Sequence, residues 1–150
     1  IESLRKLDLR GSRSLAYARD LFVFSSYMRG MAFVDMAYLR KSDVRDQTAQ
    51  YIRRKTGQSL CIRLEPCITE IIRRYARKTK NSPYVFPIIA ATDENEAYAQ
   101  YQNALSYYNK LLKKLNDEYT ALLDKETRKS MGTYVQNIIS ETYFKNKELI

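Results

Sequence analysis

A mainly helical fold with one small antiparallel β-hairpin or sheet is the class the sequence predicts, and three observations predict it. Across most of the 150 residues, apolar side chains recur every three or four positions, the period of a helix face. The stretch from Tyr51 to Leu64 departs from that period, with Leu60, Ile62 and Leu64 alternating beyond Lys55-Thr56-Gly57-Gln58, a turn in which Gly57 supplies positive φ. The apolar fraction, 45%, suffices for a core, and the length fits one domain spanning 1–150.

The elements follow in order. Ser12 or Ser14 can cap a helix running to about Tyr27, with Leu15, Ala18, Leu21, Phe22 and Ser25 on its inner face. Arg29-Gly30 breaks it, and a short second helix turns Phe33, Met36, Ala37 and Leu39 inward. Tyr51 and Ile52 lie in the first strand of the hairpin, Leu60, Ile62 and Leu64 in the second. Pro66 then sits near the first turn of a helix, where its missing N–H does no harm. Ile68, Ile71, Ile72 and Tyr75 form that helix's buried stripe, and Arg73, Arg74, Arg77 and Lys78 its outer face. After Asn81-Ser82-Pro83, Tyr84 to Ile89 reads as an extended apolar run. Thr92 or Asp93 caps a long helix carrying Tyr98, Tyr101, Ala104, Leu105, Tyr108, Leu111, Leu112 and Leu115. A further helical stretch is expected from about Glu118 to Lys129, and Gly132 separates it from a last amphipathic segment, Tyr134 to Leu149.

The chain has no histidine. That excludes a Ser-His or Cys-His nucleophile pair, a His-ligated metal, and any side chain with an ordinary pKa near neutrality. Catalysis would have to use carboxylate, lysine, arginine, tyrosine or cysteine. Cys61 and Cys67 are too few for a disulfide framework, and Cys61, alternating with apolar neighbours, reads as a reduced structural thiol. No apolar run approaches the roughly 20 residues that span a bilayer. The first residues, Ile1-Glu2-Ser3-Leu4-Arg5-Lys6, lack the apolar core of a signal peptide, so an excised cytoplasmic domain is expected.

The net charge of +9 is unevenly placed. Residues 1–80 hold 18 Lys plus Arg against 8 Asp plus Glu, while residues 81–150 hold 8 against 9. An excess confined to one half points to a surface facing a polyanion, with nucleic acid a better partner than membrane because no single helix sets Lys and Arg opposite a broad apolar face. The bland alternative is a solvated basic face. Of the thirteen tyrosines, most fall at core-like spacings; only Tyr51, beside Arg53 and Arg54, has the setting of a base-stacking platform.

The stretch Ala18-Arg19-Asp20-Leu21-Phe22-Val23-Phe24-Ser25-Ser26-Tyr27-Met28-Arg29-Gly30-Met31-Ala32-Phe33-Val34-Asp35-Met36-Ala37-Tyr38-Leu39 closely resembles the catalytic domain of tyrosine-type site-specific recombinases, the phage-integrase family, in the version found in Bacteroides-type mobile elements. Tyr51-Ile52-Arg53-Arg54-Lys55-Thr56-Gly57-Gln58 resembles that family's hairpin with its catalytic lysine. Asn81 to Pro87 and Tyr101 to Leu115 resemble its later segments, so the resemblance covers about residues 5 to 115. It implies a function in DNA recombination and integration of a mobile element, in a bacterial, nucleoid-associated setting. The chemistry is attack of a tyrosine hydroxyl on a phosphodiester to give a 3′-phosphotyrosyl link, which consumes no metal or nucleotide. No cofactor is therefore expected. Arginines stabilise charge on the phosphoryl oxygens, and a lysine gives a proton to the leaving 5′-oxygen.

By that resemblance Arg29 is the first phosphate-clamping arginine, Lys55 the hairpin lysine, and Asp35 the acid that holds the local helix and orients Arg29. The usual family spacing sets the acid three residues after the arginine, whereas Asp35 follows Arg29 by six, which requires a helix start between them. Without the family, Arg29 is a helix-end charge and Lys55 a turn lysine. Arg40, Lys41, Arg53 and Arg54 are the expected contacts to phosphates of duplex DNA, which position a protein without reading sequence.

The likeness fails beyond Leu115, leaving 116–150 a divergent helical segment. Gly132-Thr133-Tyr134-Val135-Gln136-Asn137-Ile138 overlies the family's second-arginine segment, with Asn137 at the arginine and Ile138 at its histidine. Asparagine is a neutral donor and isoleucine offers none. Tyr143 is the nucleophile candidate, with too few residues before it for the intervening segments. A chain inactive on its own is the expectation. The alternative is a non-enzymatic DNA-binding or assembly module whose last helix packs against another protomer through Ile138, Ile139 and Leu149.

Overall fold

In the structure, a computed structural model, residues 1–122 and 133–147 are described. The expected break at Gly132, residues 123–129 of the expected Glu118–Lys129 helix, and Leu149 lie outside them. Helices α1 (Glu2–Arg5), α2 (Arg13–Tyr27) and α3 (Phe33–Tyr38) precede a 3₁₀ turn (Lys41–Asp43) and strands β1 (Val44–Arg45), β2 (Thr48–Ile52) and β3 (Ser59–Arg63). Helices α4 (Pro66–Tyr75), α5 (Glu94–Leu122) and α6 (Thr133–Lys147) follow. The protein is thus mainly helical with one three-stranded antiparallel sheet, ordered β1-β2-β3. Among the described residues no helix is long and apolar enough to cross a membrane.

The chain divides into two compact units, Ile1–Val23 with Leu105–Ile150, and Phe24–Ala104. In the first unit Leu4, Leu15, Ala18, Leu21 and Phe22 are buried, as are Leu105, Leu111, Leu112 and Leu115 of α5 and Val135 and Ile139 of α6. Ser12 is the residue that starts α2, its hydroxyl accepting the Leu15 N–H at 3.3 Å. The Arg19 guanidinium pairs with buried Asp20 at 3.0 Å and also donates to the Leu7 carbonyl. Helix α5 continues to Leu122, so the stretch expected to begin afresh at Glu118 is the end of the same helix. With neither glycine nor proline between 94 and 122, and with Tyr108, Leu111, Leu115 and Tyr119 buried at helical spacing, nothing in the sequence stops it. Buried Asn109 on α5 accepts from Asn146 on α6 at 3.2 Å, a polar pair that fixes the register of these helices.

In the second unit α4 opens on Pro66 at its first position and buries Ile68, Ile71 and Tyr75. Asp93 starts α5, its carboxylate accepting the Glu96 N–H at 3.0 Å. Phe24 and Phe86, both fully buried, meet edge to face at 4.8 Å between centroids. The Tyr84–Ile89 run is pinned to the segment after α3. Lys41 N–H donates to Pro83, Val85 N–H to Leu39, and Arg40 bridges Tyr84.

Three strands stand where two were expected. Strand β1 is joined to β2 through Asp46 and Gln47, both at positive φ (49° and 60°), the double left-handed turn that suits a tight hairpin. Strands β2 and β3 pair from Thr48↔Arg63 to Ile52↔Ser59. The Arg53 N–H donates to the Gln58 carbonyl and the Gly57 N–H to the Arg53 carbonyl, with Gly57 at φ 70° as its place in the turn requires. Tyr51 and Ile62 face the core from this sheet, whereas Gln50, Ile52, Cys61 and Arg63 face outward. Cys61 and Cys67 are both free, and Cys61 is exposed rather than packed, because strand alternation puts it opposite Gln50 on the outer face.

Candidate nucleic-acid interface

The site is built where α2 ends. Gly30 N–H reaches back to the Ser25 carbonyl at 2.9 Å, Met31 N–H shares that acceptor at 3.2 Å, and the Ser25 hydroxyl donates to Met31 at 2.7 Å. This six-to-one bond is the signature of a helix ending on a left-handed residue, a place usually held by glycine. Here Arg29 holds it, at φ 56°, followed by Gly30 at φ 70°. An arginine pays about 1 kcal/mol for that conformation, so its surroundings must hold it there. Its side chain is exposed, and its guanidinium makes no hydrogen bond or ion pair among the described residues.

The hairpin supplies the hold. The Arg53 guanidinium donates to the Arg29 carbonyl at 2.8 Å, and the Tyr51 hydroxyl to the neighbouring Met28 carbonyl at 3.4 Å. On the other side, Asp35 on α3 accepts the Arg54 backbone N–H at 3.1 Å. The turn that carries exposed Lys55 is therefore fastened to the loop that carries Arg29, although Arg29 and Arg53 stand 24 positions apart. Asp35 fastens α3 to the hairpin, and its hydrogen bond goes to Arg54 rather than to Arg29. A helix starting at Phe33, between Arg29 and Asp35, accounts for their six-residue spacing.

Exposed Arg54 lies over the Tyr38 ring, 3.8 Å from its centroid, and exposed Arg40 over the Tyr84 ring at 5.8 Å. The two rings meet edge to face at 6.2 Å. Each arginine so placed has its long side chain partly ordered while its N–H groups remain at the ring's edge for an anion. Tyr38 and Tyr84 thus carry the arginines of this surface, and sequence reasoning missed both. Neither stands near its arginine in a motif, and only the three-dimensional crossing joins them. Lys41 is exposed, with its ammonium donating to the Thr79 carbonyl. Arg73, Arg77, Lys78 and Lys80 add exposed charge along α4 and beyond.

Tyr51 is buried with its hydroxyl turned inward, so it forms no base-stacking platform. The large apolar side chain exposed on β2 is Ile52, at 65%. It stands at a groove of about 630 Å³ lined also by Asp35, Tyr38, Asp43, Arg45, Gln50 and Arg54. Among the described residues no cluster of three His, Cys, Asp or Glu could hold a metal ion.

Burial pushes the hydroxyl pKa of Tyr17, Tyr38, Tyr51 and Tyr108 upward, and that of Tyr101 up to about 12. None of these five hydroxyls is therefore made easier to ionise by its surroundings. Tyr143 belongs to α6, and its side chain lies outside the described residues. Asn137 is exposed on the same helix, Ile138 is half-buried, and Ile139 is buried.

Burial also raises the Asp35 carboxyl, opposed by the Arg54 N–H and by the charges of Arg54 and Arg53. Asp35 therefore binds its proton more tightly folded than unfolded. Its contribution to stability is full below the unfolded carboxyl value near 4 and is lost as pH rises through the higher folded value. Asp35→Asn keeps an oxygen acceptor for Arg54 and cannot ionise. In urea unfolding across a pH series, the wild type is expected to lose stability as pH rises from about 4, and that variant should lack the decline. An identical profile would rule out this ionisation.

No family model matches the chain, and neither a curated protein nor a solved structure matches it.

Proposed function

We propose that Phe24–Ala104 grips the backbone of duplex DNA, as part of a site-specific tyrosine recombinase catalytic domain that acts in integration of a mobile element. The observation that carries this reading is the fastening of the Lys55 turn to the Arg29 loop through Arg53. It ties the turn carrying Lys55 to the loop carrying Arg29, the two cations that the family resemblance singles out, while Arg54 and Arg40 are held on tyrosine rings. A phosphate is held by fixed cationic donors, and arginine forks on ordered supports provide them.

Strand cleavage needs more than this surface offers. In the sequence overlay with the family, Asn137 and Ile138 fall at the second arginine and its histidine, and the hydroxyls of Tyr51, Tyr101 and Tyr108 are harder to ionise than usual. Arg29 and Lys55 are the groups of this chain that would touch a scissile phosphate, Arg29 as charge clamp and Lys55 as proton donor to the leaving oxygen. The chain by itself then binds without cutting. A nicked suicide duplex, which traps any phosphotyrosyl intermediate, should yield a noncovalent complex and no covalent adduct on a denaturing gel. A covalent adduct lost in Tyr143→Phe would overturn the inactive reading and make Tyr143 the nucleophile.

The second reading, a protein-assembly module, is favoured by one observation. Ile138 remains half-exposed on α6. Buried Ile139, however, is already used within the chain.

A further inference from the structure

We propose that Arg53 is a positioning residue for Arg29 rather than a phosphate contact of its own; this rests on reading Arg29 as a phosphate ligand. Four features of the end of α2 and the hairpin lead to it. Arg29 occupies a left-handed position that L side chains rarely adopt. The Arg53 guanidinium donates from Nη2 to the Arg29 carbonyl at 2.8 Å, a charge-assisted bond to one of the two peptide groups that flank Arg29. The hydroxyl of Tyr51 fixes the preceding carbonyl, of Met28, from the same strand. Arg53 is half-buried, whereas its neighbours Arg54 and Lys55 are exposed.

Clamping the carbonyl holds the peptide that follows Arg29, and with it the Gly30 and Met31 amides that close onto Ser25. The Arg29 guanidinium is then presented outward from a fixed backbone, which spares the ordering cost when phosphate arrives. Hairpin and helix end become one unit, so a displacement of the hairpin moves Arg29 together with Lys55.

Hydrogen exchange of the free protein and a double-mutant cycle in DNA binding test this together. Arg53→Ala should speed exchange at the Gly30 and Met31 amides by about tenfold, the loss expected for one charge-assisted hydrogen bond, while the amides of α4 keep their rates. Unchanged exchange at Gly30 and Met31 would overturn the clamp, whatever the DNA result. In duplex binding, Arg53→Ala should weaken the wild type yet add nothing to Arg29→Ala. An independent phosphate contact would instead cost a further factor of about five at 0.15 M salt in both backgrounds, and that additivity would overturn the proposal. If Arg29→Ala leaves binding unchanged, the reading of Arg29 as a phosphate ligand fails, and the exchange result still decides whether Arg53 holds the turn.

Discussion

Replacing Arg29, Arg40, Arg54 and Lys55 together by alanine should weaken duplex binding about a thousandfold at 0.15 M salt, with secondary structure unchanged. Each neutralised phosphate contributes about 0.9 to the slope of log K against log salt, so four lost contacts flatten it by about 3.6. All four side chains are exposed, and none is needed to complete the core, so the loss is electrostatic rather than a consequence of unfolding. A matched variant removes charge from α5 instead. Lys110, Lys113 and Lys114 are also exposed, but they belong to the half of the chain without a positive excess. Their replacement should leave the slope within error of the wild type. Equal losses in the two variants, read by fluorescence anisotropy, would mean that net charge alone drives binding and that the Arg29 surface has no special place.

Phe86→Ala should cost about 3–5 kcal/mol of unfolding free energy, the largest single effect expected on stability. Phe86 is fully buried, edge to face with Phe24 at 4.8 Å and with Tyr75 at 6.1 Å between centroids. It joins the end of α2, helix α4 and the Tyr84–Ile89 run, so truncation leaves a cavity bounded by three segments that cannot all close on it. A loss of that size takes a large part of a domain's usual stability of about 5–15 kcal/mol. Urea unfolding followed by circular dichroism reads it directly. A loss below about 1 kcal/mol would mean that the packing around Phe86 is looser than its ring contacts indicate.

The helices were legible because their signals are local. Ser12, Pro66 and Asp93 each mark a helix start by chemistry contained within a few residues. Arg29-Gly30 likewise marked the end of α2, although the sequence does not tell that Arg29, rather than Gly30 alone, takes the left-handed position. The turn at Asp46-Gln47 escaped notice because neither residue is the glycine or asparagine that usually signals such a conformation. Strand alternation predicts that one of Tyr51 and Ile52 faces inward, and the choice was settled only by the pairing that aligns Tyr51 with Leu60.

The candidate residues were singled out one by one, but their arrangement was not legible. Arg29, Asp35, Arg53, Arg54 and Lys55 were all singled out from motif likeness and charge. That Asp35 would grip the hairpin backbone, and that Arg53 would grip the Arg29 carbonyl, depends on α3 and the β2–β3 turn meeting in space. The same holds for the tyrosine supports under Arg54 and Arg40. No spacing rule connects residues that separate elements bring together, and side-chain hydrogen bonds to distant carbonyls leave no periodic trace.

The central claim is that this surface holds DNA through its phosphates. Its most direct test is the affinity of the wild-type chain for a duplex measured across a salt series. Log K should fall linearly with log salt, with a slope of about −3.6 or steeper for the four cations named above. A slope near zero, or no binding at low salt, would contradict it.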